Sequence, residues 1–110
     1  MTAPLQSETV SVYATFGSDE EARRIGRDMV TRRLAACVNI LGPCHSIYRW
    51  QGAVEEAAEV AAIFKTSWQA HDRLVAAIAE AHSYDQPAIT VLPNAATAPG
   101  YREWVQAETD

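Results

Sequence analysis

The side chains in this sequence that are best suited to bind a transition metal belong to its two cysteines and three histidines: Cys37, Cys44, His45, His71 and His82. Thiolate and imidazole groups suit copper and zinc, whereas carboxylates such as those of Glu59 and Asp85 suit harder ions. The donors contain no closely spaced zinc signature such as a C-x-x-C pair. A metal site would therefore have to be assembled by folding or between chains.

Each of the best donors also has a structural interpretation. Cys37 lies in an apolar stretch, where cysteine usually packs as a small hydrophobic side chain. Cys44 and His45 follow a bend predicted at Gly42-Pro43 and can chelate a soft ion as neighbours, although adjacent donors also occur by chance. His82 stands where a helix is expected to end, and there the helix dipole favours a histidine as a cap.

Composition excludes several classes of function. The formal net charge of −5 argues against a nucleic-acid surface, because phosphate binding depends on clustered Lys and Arg. The sequence has no nucleophile elbow, no phosphate-binding glycine loop and no zinc-protease helix, so we predict that it is not an enzyme. It also has no apolar stretch of membrane-spanning length and no leader-like N-terminus, so we expect a cytoplasmic protein without a membrane partner.

The first half of the chain predicts a strand, a helix and a second extended region. Residues 9–16 are rich in β-branched and aromatic residues and precede Gly17, which is typical of a strand and its end. Ser18 and Glu21 form a capping box for a helix over about residues 19–34. A short strand over 36–41 is broken at Gly42-Pro43, the chain is extended again to residue 50, and a hairpin turn is predicted at Gln51-Gly52.

Residues 53–66 give conflicting signals. Helix propensity over this alanine- and glutamate-rich stretch is high. Against a helix, apolar residues share one face with a period of two: Val54, Ala58, Val60, Ala62 and Phe64. The residues alone leave helix and strand open.

The last part of the chain predicts a helix, a strand and a short helix. Thr66 or Ser67 caps a helix that ends before Pro87, with its apolar stripe at His71, Leu74, Val75, Ile78 and Ala81 or His82. Residues 88–92 then form a strand. Pro99-Gly100 opens a terminal helix in which one face carries Tyr101, Trp104 and Val105.

Four motifs occur in one order along the chain: Cys37-Val38-Asn39, Ser46 to Gly52, Lys65-Thr66 and His82 to Pro87. In this order they resemble the CutA family, small proteins named for divalent-cation tolerance, whose pattern reads roughly ACVN, S-x-Y-x-W-x-G, K-T and H-P-Y-x-x-P. The resemblance runs from about residue 10 to Trp104.

The resemblance implies an α+β fold, a single ferredoxin-like βαββαβ domain over residues 1–110 with a short C-terminal helix and a flexible segment at 1–8. It places a strand at 53–66, so we predict a strand there and expect tertiary context to override propensity. It also implies a homotrimer like the PII signalling proteins, in which an extended β2-β3 hairpin, about residues 44–66, reaches across the neighbouring subunit's sheet.

The resemblance implies a metal site only in part. His82 holds the position of the motif histidine, and with Cys37 it is the predicted binder of Cu(II) or another divalent cation, with no cofactor required. Family members discussed as copper binders carry a cysteine near the end of the first strand and a second histidine before the motif histidine. This sequence has Thr15 and Ala81 at those places, and Ser83 replaces the motif proline. Ala88 also replaces an acidic residue that is often found just after the motif.

A ligand cleft is the second predicted site, lined by Tyr48, Trp50, Glu59, Lys65 and Tyr84. The aromatic rings supply an apolar wall, while Lys65 and His82 can hold an anion. The alternative for the aromatic residues is packing between subunits, and a simple ion pair of Glu59 or Lys65 contributes little when exposed.

The sequence therefore predicts a non-enzymatic CutA-like trimer involved in the response to divalent metal cations, with copper as the candidate ion. Two alternatives remain open. One is a PII-like sensor that binds a small anionic metabolite between subunits. The other is a trimeric scaffold for a protein partner.

Overall fold

The computed structural model describes residues 8–110, which form a four-stranded antiparallel sheet and three helices. The elements are β1 Thr9–Phe16, α1 Asp19–Thr31, β2 Cys37–Trp50, β3 Ala53–Ser67, α2 Trp68–Ala81, β4 Ile89–Pro93 and α3 Pro99–Glu108. The strand order β2-β3-β1-β4 is that of a ferredoxin-like βαββαβ domain, so the predicted fold class is confirmed. The predicted flexible segment 1–8 lies, except for Glu8, outside the described residues.

The core lies between one face of the sheet and helices α1 and α2. The inward positions of the two central strands are fully or almost fully buried: Val10, Val12, Ala14, Phe16, Val60, Ala62 and Phe64. They meet Ile25 and Met29 of α1 and Leu74 and Ile78 of α2, all of them buried. Burial of these side chains supplies most of the driving force for folding.

Helix α1 begins as predicted and ends earlier than predicted. The Ser18 side chain accepts a hydrogen bond from the amide of Glu21 at 3.1 Å, which caps the first turn. The helix stops at Thr31 rather than near residue 34 because Arg33 adopts a left-handed backbone conformation with a φ of 62°. The Arg33 guanidinium donates to the carbonyl oxygen of Ala107 at 2.7 Å, which holds this turn in place.

Strands β2 and β3 form one long hairpin. The predicted break at Gly42-Pro43 is wrong, because β2 continues through it with a β-bulge between Ile40 and Gly42. Gly42 takes a φ of 103°, which costs glycine little and allows the strand to bend without ending. The turn at residues 51–52 is confirmed, and Gln51 and Gly52 both have positive φ, as a two-residue type I′ hairpin loop requires.

The strand predicted at 53–66 is confirmed as β3, despite its helix propensity. Its second half lies between β2 and β1 and buries Val60, Ala62 and Phe64 with a period of two. A helix would keep Val60 and Phe64 on one face but turn Ala62 to the opposite side, so only the strand buries all three together. Tertiary packing has therefore overridden intrinsic propensity.

Helix α3 packs against strands β1 and β3. Val105 is fully buried, and the Thr109 hydroxyl donates to the Ser67 hydroxyl at 3.0 Å. The predicted common face of this helix is only partly buried, because Tyr101 and Trp104 remain 40% and 43% exposed. These two rings pack on each other with 5.6 Å between their centroids. Within the described residues, no helix is both long and apolar enough to cross a membrane.

Candidate functional site

His82 lies at the C-terminal end of α2 with its ring buried against the sheet. The Nε2 atom donates to the carbonyl oxygen of Thr15 at 2.7 Å, and Nδ1 accepts the amide hydrogen of Tyr84 at 3.1 Å. The ring also stacks on Phe16 with 5.0 Å between centroids. This arrangement fits the neutral Nε2–H tautomer, and it uses the lone pair that a metal ion would need.

A buried carboxylate next to His82 fixes the segment that follows α2. Glu21 accepts from the amide of Ser83 at 2.8 Å and from its hydroxyl at 3.1 Å, and it lies 3.8 Å from Nδ1 of His82. Burial opposes ionisation, but the hydrogen bonds from Ser83 and from the Gly17 amide outweigh it, so the pKa of Glu21 is lowered. The residue recognised in the sequence as half of a capping box therefore also positions residues 82–84.

Cys37 lies at the opposite end of β2 from the turn, far from His82. It is in register with Lys65, which is opposite Ser11, four residues along β1 from Thr15. That spacing alone corresponds to roughly 13 Å of extended strand, before the width of the sheet is added. The two predicted metal donors therefore do not meet within one chain, and metal binding by either one stays a prediction.

The contacts of Cys37 are those of a structural side chain. Its sulfur lies 3.3 Å from the hydroxyl of Tyr101. Burial, and then the contact with Cys37, raise the pKa of Tyr101 to about 12, so the phenol stays protonated at neutral pH. This contact ties α3 to the sheet.

The neighbours Cys44 and His45 do not form a chelating pair. They belong to one continuous strand, so their side chains point to opposite faces of the sheet. Cys44 lies 3.9 Å from the Ser46 hydroxyl on one face, and His45 Nε2 lies 2.6 Å from a carboxylate oxygen of Glu56 on the other. Across residues 8–110, no three His, Cys, Asp or Glu side chains are close enough to hold a metal ion together.

An open groove of about 720 Å³ lies beside the turn end of the hairpin, mainly on the sheet face that α1 and α2 leave uncovered. It is lined by Tyr13, Thr15, Ser46, Tyr48, Arg49, Trp50, Glu55, Glu59, Tyr84, Asp85, Gln86 and Ala88. Four of the five residues of the predicted cleft lie here: Tyr48, Trp50, Glu59 and Tyr84.

Lys65 is the predicted cleft residue that the groove does not include. It stands six residues beyond Glu59 on the same strand, roughly 20 Å away along the extended backbone. Its ammonium group donates to the side-chain oxygen of Asn39. Within one chain, Lys65 therefore cannot act on a ligand in the groove, and a role between subunits stays a prediction.

Tyr84 closes one side of the groove. Its hydroxyl donates to Glu59 at 3.0 Å, and its ring lies over Gly17, where an added Cβ would be 3.2 Å from the hydroxyl oxygen. Burial, and then the hydrogen bond to Glu59, raise the pKa of Tyr84 to about 12. The phenol is therefore neutral under physiological conditions and remains a donor.

The lining of the groove is acidic as well as aromatic. Three acidic residues, Glu55, Glu59 and Asp85, line it together with one basic residue, Arg49. The sequence prediction missed Glu55 and gave Asp85 only as a possible metal donor. Glu55 could have been predicted from the two-residue turn. That turn fixes the hairpin register and so places Glu55 directly opposite Tyr48.

Fold and groove together define a small ferredoxin-like α+β domain with a ligand-sized groove on the open face of its sheet. The family model described as CutA1 divalent ion tolerance protein matches residues 10–108. The chain belongs to this family, as its motifs predicted.

Individual relatives agree with the family assignment. The divalent-cation tolerance protein CutA of Thermus thermophilus is 41% identical over 98 residues, which are 89% of this chain and 95% of that protein. The solved structure of the T. thermophilus Cut A1 protein superimposes with a TM-score of 0.90 at 39% identity, covering 93% of this chain and 99% of that one. The rice protein CutA 1, chloroplastic, is 34% identical over 101 residues, 92% of this chain and 57% of that protein.

Proposed function

We propose that this divalent-cation tolerance protein works as a non-enzymatic homotrimer in the cytoplasm, and that its groove engages cations rather than anions. The observation that carries the second part is the charge of the groove, whose lining contains three acidic residues, Glu55, Glu59 and Asp85, and one basic residue, Arg49. Carboxylates with an aromatic wall attract a cation and repel an anion. The proposal includes a response to divalent cations because the chain belongs to a family described by divalent ion tolerance.

The trimer is supported by the surface of the projecting part of the hairpin. Ile47 and Val54 point to one face there and are 65% and 63% exposed, while Trp50 is half exposed towards the other. A two-stranded ribbon is marginally stable in water by itself, and exposed apolar side chains of this size mark an interaction surface. Contact with further copies of the chain covers both faces of the ribbon.

Copper is the first ion to test because the donors include thiols and imidazoles. Since no three donors converge within residues 8–110, we propose that a copper site takes donors from more than one subunit. His45 is the best-placed imidazole for such a site, because it is exposed on the hairpin beside Glu56. His82 can contribute only if its ring leaves the hydrogen bonds to Thr15 and Tyr84.

The test is a calorimetric titration of the reduced protein with Cu(II), Zn(II) and Ni(II), after light scattering has established the assembly state. The variants are His45→Ala and His82→Gln, with His71→Ala as the control, since His71 stacks on Trp68 away from the hairpin. We expect a trimer whose copper affinity falls in the His45 variant and is unchanged in the control. A monomer, or copper binding equal in all four proteins, would contradict the proposal.

The anion-sensor alternative has a different requirement. Because Lys65 lies outside the groove of its own chain, an anionic ligand would need cationic groups from a second subunit. A Lys65→Ala variant that loses binding of inorganic phosphate at the groove would favour this alternative over the proposal.

A further inference from the structure

We propose that Glu59 forms an ion pair with Lys65 of the partner subunit, so that a second copy of this chain completes the groove. The inference rests on the homotrimer and on the cation preference of the proposed function. It goes further in naming what occupies the groove and which two side chains join the copies.

The acidic residues of the groove have no cationic partner in their own chain. Glu55, Glu59 and Asp85 form no ion pair with a Lys, Arg or His side chain of residues 8–110. Glu59 is half-buried, whereas Glu55 and Asp85 are exposed. It accepts a hydrogen bond from the Tyr84 hydroxyl at 3.0 Å, but that neutral phenol supplies no positive charge. Because a carboxylate removed from water is costly unless it is paired, Glu59 is the one that most needs a cation from outside the chain.

Lys65 presents the complementary charge. Its neighbours Phe64 and Thr66 are fully buried on the core side of β3, so Lys65 projects from the open face of the sheet. It is half-buried, and its ammonium group donates to the neutral side-chain oxygen of Asn39. An ammonium group has three hydrogens to donate, so this contact leaves room for a carboxylate.

The other basic side chains of the described residues fit this role less well. Arg27 and Arg73 lie on α1 and α2, which cover the opposite face of the sheet. Arg49 lines the groove of its own chain, and Arg102 lies on α3 rather than on the sheet. The remaining four form ion pairs with carboxylates of their own chain: Arg23, Arg24, Arg32 and Arg33. Lys65 is therefore the cation without an ion pair that the open face of the sheet itself presents.

Glu59 and Lys65 are placed to pair between chains and not within one. They project from the same face of β3, six residues and roughly 20 Å apart. Strand β1 pairs with β3 from Val60 to Ser67, so Glu59 belongs to the projecting ribbon and Lys65 to the part inside the sheet. Opposite charges at two separate points of one surface suit a head-to-tail contact, which closes into a ring when the rotation between copies allows it. Each interface of a trimer then contains one such pair.

The experiment measures subunit exchange between ¹⁵N-labelled and unlabelled protein by native mass spectrometry, which detects mixed assemblies even when dissociation is slow. Glu59→Lys and Lys65→Glu each place like charges at every interface and should speed exchange by about tenfold or more. The double variant restores opposite charges and should return exchange to within about threefold of wild type. The matched controls are Glu80→Lys on α2 and Arg27→Glu on α1, which make the same charge changes at exposed positions and should leave exchange unchanged.

A double variant that exchanges as fast as the single variants would overturn the pairing, and so would equal acceleration in the controls. Where a single reversal prevents assembly altogether, light scattering takes the place of exchange, and the double variant should recover the trimer. The neutral changes Glu59→Gln and Lys65→Met give a second test, because the effects of two paired residues are not additive. Strictly additive effects would contradict the pairing.

Three outcomes separate this inference from the proposed function. A monomeric wild type in light scattering would overturn both the trimer and the ion pair. A trimeric wild type whose exchange is unchanged by both charge reversals would overturn the ion pair and leave the trimer standing. Inorganic phosphate bound at the groove through Lys65 would overturn the ion pair and the cation preference, because an ammonium group paired with Glu59 is not available to an anion.

Discussion

The two halves of the long hairpin use the same two strands and differ in what covers them. Near Cys37 and Lys65 the strands lie beside β1 and under the helices, and there Val60, Ala62 and Phe64 are buried. From the Cys44–Glu59 pair to the turn the ribbon has no third strand, and Ile47 and Val54 are exposed. The first half is stabilised by the core of its own chain, whereas the second half needs contacts from outside that chain.

The two halves of the hairpin also differ in whether they supply residues to the groove. The covered half supplies no residue to the groove, whereas the projecting half supplies Tyr48, Trp50, Glu55 and Glu59. A ribbon that is not required for the monomer's core is free to carry polar and aromatic residues. Variants in the two halves should therefore affect different measurements.

The largest effect is expected from a large truncation in the covered half. Phe64→Ala removes a fully buried ring that packs near Phe16, with 6.3 Å between centroids, and should cost about 3 to 5 kcal/mol of unfolding free energy. Val54→Ala in the projecting half should cost well under half as much and should instead weaken assembly. Urea unfolding and light scattering at one protein concentration test both, and equal losses in stability would break the comparison.

A tight contact under the covered half gives the next effect. A Cβ on Gly26 of α1 would lie 2.9 Å from a methyl carbon of Val38 on β2. Gly26→Ala should therefore destabilise the protein by about 1 to 3 kcal/mol through overpacking.

Gly100→Ala is the matched control for this change, because nothing lies within 4 Å of a Cβ added there. It should be neutral or stabilising by up to about 1 kcal/mol, since alanine restricts the unfolded chain. Thermal unfolding should show a lower midpoint for Gly26→Ala and an unchanged or higher midpoint for Gly100→Ala, and a decrease in both would show that the Val38 contact does not cause the loss.

The Glu21 carboxylate links the two halves, because it fixes the segment whose Tyr84 contacts Glu59. Glu21→Gln keeps one acceptor oxygen, loses the charge, and should cost about 1 to 2 kcal/mol at neutral pH. The folded-state pKa of Glu21 is lowered from its ordinary value of 4.5, so this stabilisation is present above pH 4.5 and is lost as the pH falls through the folded-state value.

The measurement is the unfolding free energy of wild type and Glu21→Gln at a series of pH values. The difference between the two proteins should be largest near neutrality and should disappear in acid. A difference that does not depend on pH would mean that shape, rather than charge, determines the role of Glu21.

The smallest effect is expected at the tip of the projecting half. Gln51 has a φ of 50°, a left-handed conformation that asparagine adopts more readily than glutamine. Gln51→Asn should raise stability by about 0.5 kcal/mol, whereas the same change at Gln69, inside α2, should lower it slightly because asparagine is a weaker helix former. Thermal melts of the two variants compare them directly, and a loss of stability at both positions would contradict the assigned turn.

The sequence by itself determined the local features of this protein. The Ser18 cap and the turn at Gln51-Gly52 depend on short-range geometry, and the structure confirms them. Local signals also predicted a cap at Thr66 or Ser67, and the structure assigns it to Ser67. The two-residue turn also fixes the pairing register from the turn to the bulge before Gly42, and this register places Glu55 opposite Tyr48. The family motifs supported the overall fold, and the family and structure comparisons confirm it.

Only the tertiary structure decided which of these side chains meet. Residues 53–66 became a strand because a sheet buries Val60, Ala62 and Phe64 together, an advantage that appears only once β1 and β2 lie on either side. The chain fold also turned both ring nitrogens of His82 towards the backbone and left Lys65 beyond the groove. These outcomes depend on contacts between residues distant in sequence, and spacing along the chain does not specify such contacts.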